Sequence, residues 1–328
     1  MDSRFVLRKQ PNVFSAIASG FKSLGSHLYL LLFPLGLDLL LLFAPRYTIS
    51  TLAARYLALF DPLTEASAEL KQLWTDLSAS LDTFFQSYSL SSALRSYPLG
   101  IPSLLSSRVF MENPFGKLGE VPVTAEGKAL VFLLLFGTVG ALLGALYFYL
   151  CGLPTYLEVQ KQGLKPTLRA LLNLALLPVL FWAVLLMIAV PVSLAVSLLS
   201  LLHPFLGLLA YFFAAMVLIS MFLPALFAPH AVLILNQNLW QGIRTSIRLL
   251  RPYYSATSLF VILAVLISYL TNLLWQSPGT DSPMVYVGIF GHALVSSALI
   301  IASFHYFLRV LQLTQENELS KQTQESSL

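Results

Sequence analysis

Apolar runs long enough to cross a bilayer dominate the chain, broken by short charged or Pro- and Gly-bearing stretches. A hydrocarbon core of about 30 Å needs about 20 helical residues, and suitable runs fall at 28–45, 129–152, 169–202, 205–235, 254–275 and 285–309. From Ala170 to Ile243 there is no Asp, Glu, Lys or Arg, which leaves room for two long spans or three ordinary ones. Arg169 flanks one end of this stretch, and Arg244, Arg248 and Arg251 flank the other. Basic clusters favour the cytoplasmic side, and two clusters on one side require an even number of spans between them. The pattern therefore predicts two spans, turning at His203-Pro204, within an all-α fold: a polytopic transmembrane helical bundle of about six spans.

The third and fourth spans are long: at 1.5 Å per residue, about 33 residues reach roughly 50 Å. Pro178, Pro191, Pro224 and Pro229 are positions where such helices kink. Otherwise the apolar tips around Val196–Leu208 need a protein cover, and the expected cover is the one sizeable non-membrane segment, 46–128. There Leu63, Ala66, Leu70, Leu73, Leu77, Leu81, Phe84 and Tyr88 recur at spacings of three and four, one face of a helix. Two readings stay open: a helix laid on its own protein or the outer interface, or a helix that binds a partner or a second copy through residues 63–88. After Tyr88, Ser and Pro accumulate, and Asn113-Pro114-Phe115-Gly116-Lys117-Leu118-Gly119 reads as loop with turns.

Three connectors share a pattern of apolar, two variable, small, apolar and basic positions: 17–22, 164–169 and 239–244. Their apolar positions lie four apart, on one helical face. The pattern allows three units, each a short basic amphipathic helix (12–24, 156–168 and 237–250) followed by a membrane hairpin, with an insertion in the first. In the third, Leu239, Trp240, Ile243, Ile247 and Leu250 form the expected apolar side. The run from Asn236 to Tyr254, with Gly242-Ile243-Arg244 and then Arg248, Arg251, Tyr253 and Tyr254, resembles the cytoplasmic connector of a bacterial membrane-domain family. That domain occurs fused to glycerophosphodiester phosphodiesterases and as stand-alone proteins of uncharacterised function. The resemblance implies a bacterial inner-membrane protein. It covers about twenty residues specifically, and without a phosphodiesterase domain it does not carry that activity over.

Composition agrees with lipid as the main solvent. Charged residues make up 10% of the chain, hydrophobic residues 57%, and mean hydropathy is +0.77, against roughly 25% charged in soluble domains. The net charge of +4 matters through its placement. It puts 1–27 (a basic amphipathic N-terminal segment) and the tail 314–328 in the cytoplasm, span one at 28–45, the insertion 46–128 outside, and a five-span bundle with interfacial helices at 129–313. The late start of the first apolar run, without a small-x-small site after it, reads as a retained span rather than a cleaved signal. Lys22, Arg169, Arg244, Arg248 and Arg251 are the expected contacts to anionic inner-leaflet headgroups, and no nucleic-acid partner is expected.

Candidate chemistry is sparse. Cys151 is the single cysteine, so an internal disulfide and a cysteine-based metal cluster are excluded. No nucleophile elbow, zincin helix or phosphate loop occurs, and no cofactor or metal is expected. Asp38 is the one acid inside a span, where an ionised carboxylate costs at least about 2.5–3.5 kcal/mol. It is either an interhelical hydrogen-bond acceptor or an ion or substrate site, with His292 and His305 the histidines best placed to join it. Gly137, Gly140 and Gly144 mark a small-residue helix contact. The expected function is non-enzymatic: a structural, lipid-interacting or partner-binding membrane protein. The alternative is a small-solute permease with its polar site around Asp38, for which Asn173, Asn272 and the two histidines would be the remaining path.

Overall fold

A computed structural model describes residues 10–60, 68–108, 110–160 and 167–325. Helix α1 (Val13–Ser26) begins where the Asn12 side chain accepts the Ser15 N–H at 3.0 Å, satisfying a first-turn donor. A 3-10 turn at Leu28–Leu31 leads into α2 (Leu32–Phe43), and the α1–α2 pair is bent by 92°. The insertion follows, with β1 (Arg46–Thr48), α3 (Ser50–Leu57), α4 (Ala68–Ser87), 3-10 turns at Leu90–Leu94 and Leu105–Ser107, and the short strands β2 (Glu112–Asn113), β3 (Gly116–Lys117) and β4 (Glu120–Pro122). The remainder is α5 (Glu126–Gln160), α6 (Leu168–Leu202), α7 (Pro204–Ala225), α8 (Ala228–Ile234), α9 (Leu239–Leu250), α10 (Tyr254–Trp275) and α11 (Val285–Glu325). Among the described residues five helical stretches are long and apolar enough to cross a membrane, six if the bent α1–α2 pair is one span. The all-α, multi-span architecture is therefore present.

Helix α11 is the axis of the bundle, and small residues make it so. Gly20 of α1 lies so close to the Ala298 carbonyl and Ala302 that a Cβ there has no room, and Gly152 of α5 seats the Phe304 ring. In lipid there is no hydrophobic drive between helices, so close backbone approach and interhelical hydrogen bonds hold them. Two such bonds are sealed in the core: Tyr147 hydroxyl to Ser297 at 2.7 Å, and Thr257 with Tyr306 at 2.9 Å. Helix α11 continues into the polar tail as far as Glu325.

Several expectations change. The tips of α6 and α7 around Val196–Leu208 are largely exposed, with no cover from the described residues of the insertion. The insertion instead folds on α2 and α5. Arg46, buried in β1, pairs with Glu120 at 3.1 Å and donates to the Gln86 and Ser87 carbonyls at 2.8 and 3.0 Å, capping the end of α4 with a cation. Leu63 and Ala66 lie outside the described residues, and within α4 Leu77 and Phe84 stay exposed.

The three connectors also differ. The first enters its span through the 92° bend, whereas α9 runs through a 3-10 turn at Arg251–Tyr253 into α10 without such a bend, so these two connectors do not share one geometry. The second connector falls largely outside the described residues. In α9 Gly242, Ser246 and Leu250 pack against protein, while Trp240 and Ile247 of the apolar side are exposed. Gly242 is what allows this, because Val232 of α8 occupies the space of its missing side chain.

Candidate functional site

The acid of α2 anchors a stretch of irregular backbone packed against the bundle. Asp38 is fully buried. One carboxylate oxygen accepts the Ser103 hydroxyl at 2.5 Å and the Leu105 N–H at 3.0 Å, and the other accepts the Leu104 N–H at 2.9 Å. These donors belong to the segment 90–107, whose Leu90, Leu94, Leu99, Ile101, Leu104 and Leu105 are buried. Non-helical backbone is tolerated in a bilayer only where protein satisfies its polar groups or it lines a cavity. Asp38 supplies part of that satisfaction, and the loop's own side chains supply more: Ser96 donates to the Leu99 carbonyl and Arg95 to the Ser103 carbonyl, each at 2.5 Å.

Gly140 and Gly144 give the loop its berth. The Leu94 carbonyl fills the space beside Gly140, and a Cβ on Gly144 would come within 2.7 Å of the Gly100 Cα. The expected helix contact is thus a contact to the loop, and Gly137 has nothing within 4 Å of its missing Cβ. Gly140 is 14 residues from Glu126 and 18 from Glu158, the ends of this apolar stretch (140 − 126 and 158 − 140). At 1.5 Å per residue the loop meets α5 about 21 Å from one end and about 27 Å from the other. The segment read from sequence as external therefore reaches about halfway along this stretch of α5.

Arg95 rides on this loop. Its Nη1 bonds the Ser103 carbonyl and, at 3.4 Å, the Ser106 hydroxyl, while its guanidinium stands 4.6 Å from the Tyr97 ring centre. The Asp38 charge lies within electrostatic reach. Nη2 and Nε make no hydrogen bond among the described residues, and neither is sealed from the surroundings.

Two clefts flank the strip Arg95-Ser96-Tyr97. The first, about 630 Å³, runs between the loop, the end of α7, α10 and α11, and is lined by Ser268, Tyr269, Asn272, His292 and Ser296 among others. The second, about 910 Å³, separates α5 from α6 and is lined mainly by apolar side chains such as Leu134, Leu176, Val179 and Trp182. Those four are exposed, as are Val265 and Tyr269 of the first cleft, so both clefts open sideways between the helices. Asn272 Oδ1, in the first cleft, is buried without a partner. Nearby, Arg108 donates to the Pro278 carbonyl at 2.6 Å, tying the loop to the α10–α11 turn. Burial lowers the pKa of its guanidinium from the ordinary value.

The structure does not bring Asp38, His292 and His305 together. His292 faces the first cleft, with Ser296 at 3.4 Å. His305 is 13 residues further along α11 (305 − 292), about 20 Å away at helical rise. Its Nε2 lies 2.9 Å from the Ser23 hydroxyl and 3.8 Å from Glu158, whose oxygens also meet Ser23 at 3.1 and 3.2 Å. A nucleophile relay needs the acid on the other imidazole nitrogen, and here acid and hydroxyl share one. Asn173 Nδ2 is buried and unpartnered on α6, apart from either cleft lining. Lys22, Arg169, Arg244, Arg248 and Arg251 are all exposed. Arg169 and the α9 arginines share one end of the molecule, where the Asn236 side chain accepts the Thr167 N–H at 2.9 Å, and Arg244 stacks 4.8 Å over Trp240.

Arg95 was not legible as a site residue. The available signal was the run 89–108, which has six aliphatic residues that the fold buries, two arginines and no acid, too apolar for a solvated loop. No family model, no curated protein and no solved structure matches the chain.

Proposed function

We propose that this multi-pass protein is a non-enzymatic, lipid-interacting component of the cytoplasmic membrane, with both termini inside, that admits a membrane amphiphile sideways into the clefts flanking Arg95-Ser96-Tyr97. One observation carries the reading: two ligand-sized clefts, about 630 and 910 Å³, share that polar strip and open between lipid-facing helices. Ligand pockets are typically about 300–1,000 Å³. Asp38 lines neither cleft and has its oxygens occupied by the loop, which argues against a solute path through it. The orientation rests on the basic end formed by Arg169, Arg244, Arg248 and Arg251, which suits an anionic inner leaflet. Exposed Leu77 and Phe84 on α4 support residues 63–88 as its contact with a protein partner or a second copy. The likeness of 236–254 to the phosphodiesterase-associated membrane domain fits a membrane role and brings no catalytic activity with it.

Native mass spectrometry after mild extraction tests the reading. The wild type should retain lipid, and Gly137→Trp with Ala264→Trp, which fill the two clefts, should retain much less at equal folding. Equal retention by wild type and the filled variant would overturn it.

A further inference from the structure

We propose that Arg95 is the headgroup site of these clefts and that the amphiphile is an anionic phospholipid, its phosphate on the free Arg95 donors, its polar headgroup toward Asn272 and its chains along α5 and α6. The proposal rests on the cleft reading above and adds the ligand's charge and orientation.

Charge decides the class. Among the described residues Arg95 is the only charged side chain lining either cleft, and neither lining contains an Asp or Glu. A cation held halfway along α5 is costly in a bilayer and is normally paired or placed on a substrate path. Asp38 interacts with it, yet both Asp38 oxygens already accept bonds from Ser103, Leu104 and Leu105. Nη2 and Nε remain unbonded among the described residues. A guanidinium edge with two parallel donors matches a phosphate bidentately, where a lysine would offer a point charge.

The surroundings decide the orientation. On the α10–α11 side the strip faces Ser268, Asn272, His292 and Ser296, polar side chains that suit a headgroup. On the α5–α6 side it faces Leu134, Leu176, Val179 and Trp182, which suit acyl chains and offer nothing to a hydrated inorganic ion. The shared strip lets one molecule engage both sides, with its polar and apolar parts separated by the loop.

The test uses the full chain in mild detergent, with phosphatidylglycerol, phosphatidylcholine of the same chains, and inorganic phosphate as probes read by native mass spectrometry and thermal shift. The wild type should prefer phosphatidylglycerol over phosphatidylcholine at least tenfold, and phosphate alone should give no shift at millimolar concentration. Arg95→Gln should abolish the preference while total bound lipid is kept, and Arg95→Lys should keep part of it. Wild type without a preference, Arg95→Gln with the wild-type preference, or phosphate alone binding as well as the lipid would each overturn the proposal. Wild type that retains no lipid at all would instead overturn the underlying reading. If Arg95→Gln does not fold, Tyr97→p-benzoylphenylalanine, which reports from both clefts, should photolabel phosphatidylglycerol in preference to phosphatidylcholine; equal or absent labelling would overturn the proposal.

Discussion

Replacing Asp38 by leucine tests whether the span acid exists to seat the loop. The change removes the acceptor of the Ser103 hydroxyl and of the Leu104 and Leu105 amides. The hydroxyl can rotate to another acceptor, but the two amides cannot move without the loop. Each buried amide left unpaired costs about 1–3 kcal/mol, so Asp38→Leu should cost about 2–6 kcal/mol, less whatever is recovered by no longer burying a carboxylate. Asp38→Asn keeps one oxygen for Ser103 and Leu105 and places its amide against the Leu104 N–H, so one donor is orphaned, at about 1–3 kcal/mol. Thermal midpoints in detergent should therefore fall in the order wild type, Asn, Leu. The same unseating should make the chain sensitive to trypsin after Arg95, a cut identifiable by mass. An Asp38→Leu protein with an unchanged midpoint and a resistant Arg95 would refute the argument that the acid anchors the loop.

Gly140→Ala and Gly144→Ala should each destabilise by about 1–3 kcal/mol through overpacking against the loop, measured by the same midpoint, while Gly137→Ala, whose Cβ meets nothing within 4 Å, should be neutral. Buried Cys151 should resist an impermeant maleimide until the protein is denatured. In a Cys151-free background Ser80→Cys should react from outside intact cells and Ser326→Cys should not; the reverse pattern would overturn the proposed orientation. Ser246→Ala should loosen α9 by deleting the hydroxyl bond to the Pro224 carbonyl, a loss of about 0.5–1.5 kcal/mol for a net hydrogen bond, read as faster hydrogen exchange across 239–250.

Span number and helical class were legible because they depend on composition summed over about 20 residues at a time, and the run from Ala170 to Ile243 without a charge needs no tertiary knowledge to read. Asp38 was legible as an anomaly, since a lone acid among leucines is expensive wherever it ends up. Its partner was not: Ser103, Leu104 and Leu105 are more than 60 residues away (103 − 38 = 65), and two of the three donors are backbone amides, which every residue carries and no sequence pattern marks. The glycines show the same divide. Their spacing announced a close approach on α5, but whether a helix or a loop fills the gap depends on what the insertion does. The insertion's inward path is set by contacts among distant elements, Asp38 on α2, Gly140 and Gly144 on α5 and Pro278 before α11. Arg95 therefore reads in sequence as one cation in a Ser-rich stretch, and only the tertiary structure carries it to the middle of α5's length, between two clefts.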